Sequence, residues 1–217
     1  MSEHPTTTIL LVRHAESEAN AAQMFGSQLD SKLTERGRLQ SAALARALAS
    51  VRIDHVYSSD LSRARDTVRP VAESRGLSLL ELAAFRERSV GELMGLSFRE
   101  ARERYPEAWQ ALVKRDPDAR PPGGESLRDL QERVGAALES VLEAQRGSVI
   151  AIGSHGVAIY AMVRYLLGLR DPRTPLVLAV NNASVSRVDL IEHEGVVAPR
   201  LVYANRVAPL EGEGPFD

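Results

Sequence analysis

The sequence predicts an α/β protein, a three-layer α/β/α sandwich around a mostly parallel central sheet. Apolar runs exchange with segments of helical periodicity along the whole chain, the order that places helices against a sheet. The run at residues 8–12 is unbroken in its apolar character through "ILLV", as expected of a strand covered on both faces. Its 217 residues, 44% of them apolar, suffice for one well-buried core, so one domain over 1–217 is expected.

After the first strand, "LTERGRLQSAALARALAS" predicts a helix with Thr34 as its N-cap and Ala43, Leu44, Ala47 and Leu48 on one face. "HVYSS" (55–59) is a short second strand, 61–74 a helix ending near Gly76, and "LSLLEL" (77–82) a third strand. Residues 88–124 are less regular, with turns marked by "YP", "DP" and "RPPGGE". The clearest helix is "ESLRDLQERVGAALESVLEA", opened by a Ser126-x-x-Asp129 box, with Leu127, Leu130, Val134, Leu138 and Val141 on one face. "GSVIAIGSHG" (147–156) reads as a buried strand ending in a turn at Gly153 and Gly156, followed by a helix through about Leu167. "ASVSRVDLIEHEGVVAPRLVYANR" supplies two closing strands.

Composition narrows the function classes. The formal charge of −2 argues against general nucleic-acid affinity. Of 27 basic residues all but Lys32 and Lys114 are arginine, so arginine richness alone marks no site. The absence of cysteine excludes disulfides, thiolate metal sites and thiol catalysis. "MSEHPTTT" lacks the features of a secretory signal, and "VAIYAMVRYLLGL" is interrupted by Arg164 and too short to span a bilayer. The expectation is a soluble cytoplasmic protein with no membrane or nucleic-acid partner.

Chemistry-bearing residues gather at strand ends. Arg13-His14 follows the first strand and His155-Gly156 follows "VIAIGS". In open α/β sheets ligands bind beyond the carboxyl ends of the strands, so both histidines would face one crevice. "SSDLSRARDT" offers Arg63 and Arg65 at a helix start, and Glu87 lies just past the third strand. Each alone has an ordinary explanation: a satisfied histidine, solvated helix arginines, a surface salt-bridge glutamate, a turn glycine. Their joint occurrence at successive strand ends points to a site. The five histidines (4, 14, 55, 155, 193) have no H-x-x-x-H spacing and no acidic triplet accompanies them, so no metal is expected. "PPGGES" lacks the Lys-Ser/Thr of a nucleotide P-loop and reads as a turn feeding the N-cap at Ser126.

Taken together, "LVRHAES", "SSDLSRARDT", the glutamate after the third strand, "PPGGESL" and "IGSHG" resemble the histidine phosphatase superfamily, the phosphoglycerate-mutase-like group. The resemblance runs from Ile9 to about Arg206 with the motifs in the family's order. It implies that His14 is the phosphorylated nucleophile, that Arg13, Arg63 and His155 bind the phosphoryl oxygens, and that Glu87 is the proton donor. Asn20 matches a phosphate-pocket position, and Gly156 stands where a backbone contact is expected. Ala15 occupies the place of the family's usual glycine, which costs little if its φ is negative.

That chemistry requires a neutral imidazole, available near an unperturbed pKa of roughly 6.5 and favoured further by the charges of Arg13 and Arg63. Glu87 would need its pKa raised, for instance against an apolar wall such as Phe85. No cofactor is called for. Residues 22–30, with Phe25, Gly26 and Ser27, and a helical insertion around 88–125 would wall the substrate. Arg88, Arg99, Arg102, Arg104, Lys114, Arg115 and Arg120 are candidates for a second acidic group, and Trp109 is a core or wall residue or a stacking platform.

The reaction expected is metal-independent hydrolysis of a small phosphorylated metabolite. "RSVGELMGLSFRE" does not reproduce the mutase insertion and "NNASVSRVDL" resembles phosphatase members. Two alternatives remain open: phosphoglycerate-mutase-type transfer, and a silent module that binds phosphorylated ligands. A homodimer is compatible with the resemblance.

Overall fold

The computed structural model of the protein describes residues 6–114 and 116–208. β1 (Thr6–Arg13), α1 (Glu18–Ala21), α2 (Glu35–Ala47), β2 (His55–Ser58), α3 (Ser62–Glu73) and β3 (Leu79–Glu81) make up the first half. Next come α4 (Phe98–Arg104), α5 (Pro106–Val113), α6 (Leu127–Ala144), β4 (Val149–Ser154), α7 (Gly156–Leu166), β5 (Ser184–His193) and β6 (Val196–Val207). One six-stranded sheet has the order β3-β2-β4-β1-β5-β6. β1, β2, β3 and β4 pair in parallel, whereas β5 runs antiparallel to β1 and β6 antiparallel to β5.

The unbroken apolar run of β1 serves two cores, because alternate side chains of a strand point to opposite faces. Ile9 and Leu11 pack with Leu130, Val134 and Leu138 of α6 and with Ile159 and Met162 of α7. Leu10 and Val12 pack with Leu44, Val68 and Val71 from α2 and α3. Ile150 and Ile152 of β4 join the first core and Ala151 the second. The sheet is thus covered on both faces, and this fixes the register of β1 and β4.

Helix starts follow the local chemistry. Thr34 Oγ1 accepts the N–H of Gly37 and caps α2, while the Ser126–Asp129 capping box opens α6. A second box, Ser97–Glu100, starts α4 inside the irregular stretch, and Pro106 occupies the first turn of α5.

Several expectations are corrected. Gly153 lies inside β4 rather than in a turn; a Cβ there would come within 3.0 Å of Val68 and Ser58 side-chain atoms, so glycine permits α3 to close on the sheet. Gly156 is the first residue of α7. β3 is three residues, shorter than "LSLLEL". β1 begins two residues before the predicted run, because Thr6 and Thr7 pair with Ile191 and Leu190 of β5; within the run, Thr8 Oγ1 donates to the buried carboxylate of Asp189 and is a satisfied polar group in the sheet.

The order of the parallel strands turns the carboxyl ends of β1, β2 and β4 to the same edge. His14 follows β1, Arg63 lies in the first turn of α3 after β2, and His155 follows β4.

Candidate active site

Arg13, His14, Asn20, Phe25, Gly26, Ser27, Arg63, Glu87 and Gly156 line one cleft of about 430 Å³ at that edge. His155 sits behind it: its ring is fully buried, its centroid 5.2 Å from that of His14. Arg65, in contrast, turns away and pairs with Asp66 and Glu81.

His14 is 4% exposed. Its Nδ1 lies 2.7 Å from the carbonyl oxygen of Ala15. A carbonyl can only accept, so Nδ1 carries the proton, and in the neutral ring Nε2 holds the lone pair. Burial, then the charges of Arg63 and Arg13, push the His14 pKa well below the ordinary imidazole value. His155 is held down the same way, by burial first and then by Arg63.

Ala15 shows why the glycine is dispensable. It is not among the positive-φ residues, it is fully buried against Leu33 and Ala183, and its N–H donates to Thr67 Oγ1 at 2.8 Å.

The arginines are held by backbone carbonyls rather than by carboxylates. Arg13 Nη1 donates to Val180 O. Arg63, 2% exposed, donates to the carbonyls of Leu29 and Ser27 and so ties the early loop to α3. Arg13 Nε and both ring nitrogens of His155 are buried without a protein partner. Among the described lining residues Glu87 is the sole carboxylate, so the cleft floor carries a surplus of positive charge suited to an anion.

Glu87 is fixed by three backbone donors: the N–H of Arg88 at 2.8 Å, of Val157 at 3.2 Å and of Ala158 at 3.1 Å. The last two belong to the first turn of α7, next to Gly156. The expected apolar wall at Phe85 is not there, since Phe85 packs in the core below and does not line the cleft.

Two supporting residues escaped sequence reasoning. Asn182 Nδ2 donates to His14 O and to Asn20 Oδ1, each at 3.0 Å, and so locks the His14 backbone to the Asn20 amide. Asn20 Oδ1 also accepts from Ser17 N and Oγ, which leaves Nδ2 as the end it can offer to an anion. Arg133 donates to the carbonyls of Ala84, Arg86 and Glu87 and pairs with Glu125, bracing the segment that carries Glu87. Nothing local distinguishes Asn182 from Asn181, or Arg133 from other helix arginines.

Of the candidates for a second acidic group, Arg88 alone lines the cleft, and its Nε and Nη2 donate to the carbonyls of Glu125 and Ala119. Arg115 lies outside the described residues. Trp109 belongs to a small cluster with Phe25, Leu93 and Leu112 beneath α4 and α5, not to the cleft lining. No group of three or more His, Cys, Asp or Glu suited to a metal occurs among the described residues, and none of their helices is long and apolar enough to cross a membrane.

Fold and cleft together define the class, an α/β enzyme of the phosphatase or mutase type. Residues 9–200 match the family model of the histidine phosphatase superfamily (branch 1), and the chain belongs to that superfamily. It is 38% identical over 182 residues to a probable phosphoglycerate mutase GpmB from Klebsiella pneumoniae subsp. pneumoniae, covering 83% of this chain and 84% of that protein. Among solved structures it is similar to a mycobacterial glucosyl-3-phosphoglycerate phosphatase in complex with VO3, with TM-score 0.83 and 26% identity over 91% of this chain and 98% of that one. A mycobacterial hydrolase superposes with the same TM-score of 0.83 at 29% identity, covering 94% of this chain and all of the other.

Proposed function

We propose that the chain is a metal-independent phosphomonoesterase that works through a phosphohistidine on His14. The observation that carries this reading is the buried, neutral His14 whose Nδ1 is pinned to Ala15 O, leaving the Nε2 lone pair at a cleft flanked by Arg13 and Arg63.

Nε2 attacks phosphorus while the bond from phosphorus to the alcohol oxygen breaks, and Glu87 in its protonated form gives that oxygen a proton. Water then attacks the phosphohistidine. Glu87, now a carboxylate, takes the water's proton, the P–N bond breaks and the electron pair returns to Nε2. Phosphoryl transfer asks mainly for positioning and charge stabilisation. The N–H groups of Arg13, Arg63 and Asn20 supply that, with His155 donating from one ring nitrogen. The fixed guanidinium charge suits the task better than a lysine would. The substrate class is a small phosphorylated molecule, in a cytoplasmic setting consistent with a cysteine-free chain.

The second reading, phosphoryl transfer between two substrate oxygens, is favoured by the mutase names of the relatives. Phosphate release from a panel of phosphomonoesters in EDTA tests the choice. Hydrolysis that survives chelation supports the phosphatase. No release, together with transfer between phosphoglycerate positions in the presence of bisphosphoglycerate, would establish the mutase instead.

A further inference from the structure

The cleft lining has two chemically different parts. Arg13, His14, Asn20, Arg63 and Glu87 form the phosphoryl end; Phe25, Phe98, Leu112, Val157, Leu178 and Val180 form an apolar wall, which adjoins that end where Val157 N–H donates to Glu87 and Val180 O accepts from Arg13. This apolar wall comes from separate parts of the chain: the early loop, α4 and α5, the start of α7, and the segment before β5. Two of its members remain open to solvent, Phe98 at 42% and Val157 at 39% exposure.

The wall offers nothing to a second anion among the described residues. The cations lining the cleft are Arg13, Arg63 and Arg88. The first two belong to the phosphoryl end, and Arg88 is 6% exposed and tied to two carbonyls. Arg120 is paired with Asp129, Arg104 lies over the ring of Tyr105, and Arg99, Arg102 and Lys114 do not line the cleft. A carboxylate or second phosphate placed against Phe98, Leu112 and Leu178 would lose its water without gaining a partner. An apolar body there would cover surface that solvent now wets.

We infer that the alcohol half of the substrate is uncharged and largely apolar, a ring or a short hydrocarbon chain seated on this wall, with the phosphoryl group as its single anion. The inference rests on the phosphomonoesterase reading and narrows it to one class of ester.

The test compares two esters with the same kind of primary alkoxide leaving group, n-hexyl phosphate and 6-phosphooxyhexanoate, which differ by a terminal carboxylate. In parallel, n-hexylphosphonate and its 6-carboxylated analogue are bound calorimetrically, which reads the wall without turnover. The expected result is a preference of about tenfold or more for the uncharged member in both kcat/KM and Kd. Phe98→Lys should reduce or invert that preference in both measurements. Equal or better handling of the carboxylated members by the native protein would overturn the inference while leaving hydrolysis intact. Selective phosphonate binding without any ester hydrolysis would uphold the apolar wall and remove the phosphomonoesterase reading.

Discussion

At the scale of single residues, the site works by taking imidazoles out of water beside fixed cations. His14 and His155 both have pKa values depressed well below 6.5, by burial before charge. In the unfolded chain each returns to an ordinary value, so below about pH 6.5 the unfolded state binds protons that the folded state refuses. Stability is therefore lost as pH falls from about 6.5, by up to about 1.4 kcal/mol per pH unit for each histidine. The carboxylates with lowered values, among them Asp54, Asp60 and Asp129, enter only below about pH 4. Denaturant melts between pH 7 and 5 in phosphate-free buffer should show this slope, and His155→Asn should roughly halve it. An unchanged slope in that variant would contradict the assignment for His155.

Glu87 makes a second prediction at this scale. Glu87→Gln should reduce kcat/KM for alkyl phosphates by about 100-fold or more, with a much smaller loss on p-nitrophenyl phosphate, whose leaving group barely needs a proton. Equal losses on the two would remove Glu87 as the acid. His14, Arg13, Arg63, His155 and Glu87 were legible in the sequence because each follows a recognisable strand and the motifs stand in a familiar order. Asn182 and Arg133 were not, because their roles consist of long-range hydrogen bonds to backbone atoms of other segments, which no local pattern encodes.

At the scale of elements, the cleft walls hang on buried arginines that cage carbonyls. Arg164 is fully buried in α7. It donates to the carbonyls of Asp171 and Thr174 at 2.6 and 2.7 Å and to Gln131 and Tyr160 at 3.3 Å. The segment it holds runs on to Leu178 and Val180, and Val180 O in turn receives Arg13. Arg164→Met should strand two carbonyls at a cost of about 2 kcal/mol or more and raise KM for bulky esters more than for methyl phosphate. A stability loss with unchanged KM ratios would limit Arg164 to scaffolding.

The cap of α4 and α5 reflects another local device. A Cβ on Gly91 would lie 1.9 Å from Pro122 O, and its φ is +54°, so the "PPGG" turn can approach the base of the cap only because residue 91 is glycine. The helical insertion expected around 88–125 contains α4 and α5, but periodicity set no bounds for them because they are short and α5 buries no residue of its own. The amphipathic face of α6 was legible because it packs on the sheet.

At the scale of the whole molecule, function follows from strand order. Three parallel strands separated in sequence bring their carboxyl ends together only because β4 lies between β1 and β2, and short apolar runs reveal the strands without revealing that order. The expected mostly parallel sheet is present, with its antiparallel pair at β5 and β6. The closing strands are exposed along β6, so their pattern was weaker than that of β1 and β4.

The central claim is that phosphorus passes through His14. Rapid acid-free quenching of the native protein with a ³²P-labelled ester, followed by peptide mapping, tests it directly. The account predicts label on the peptide containing His14, stable to base and labile to acid, chased by unlabelled substrate and lost together with turnover in His14→Ala. Turnover that persists in His14→Ala, or a chased label on any other residue, would contradict it.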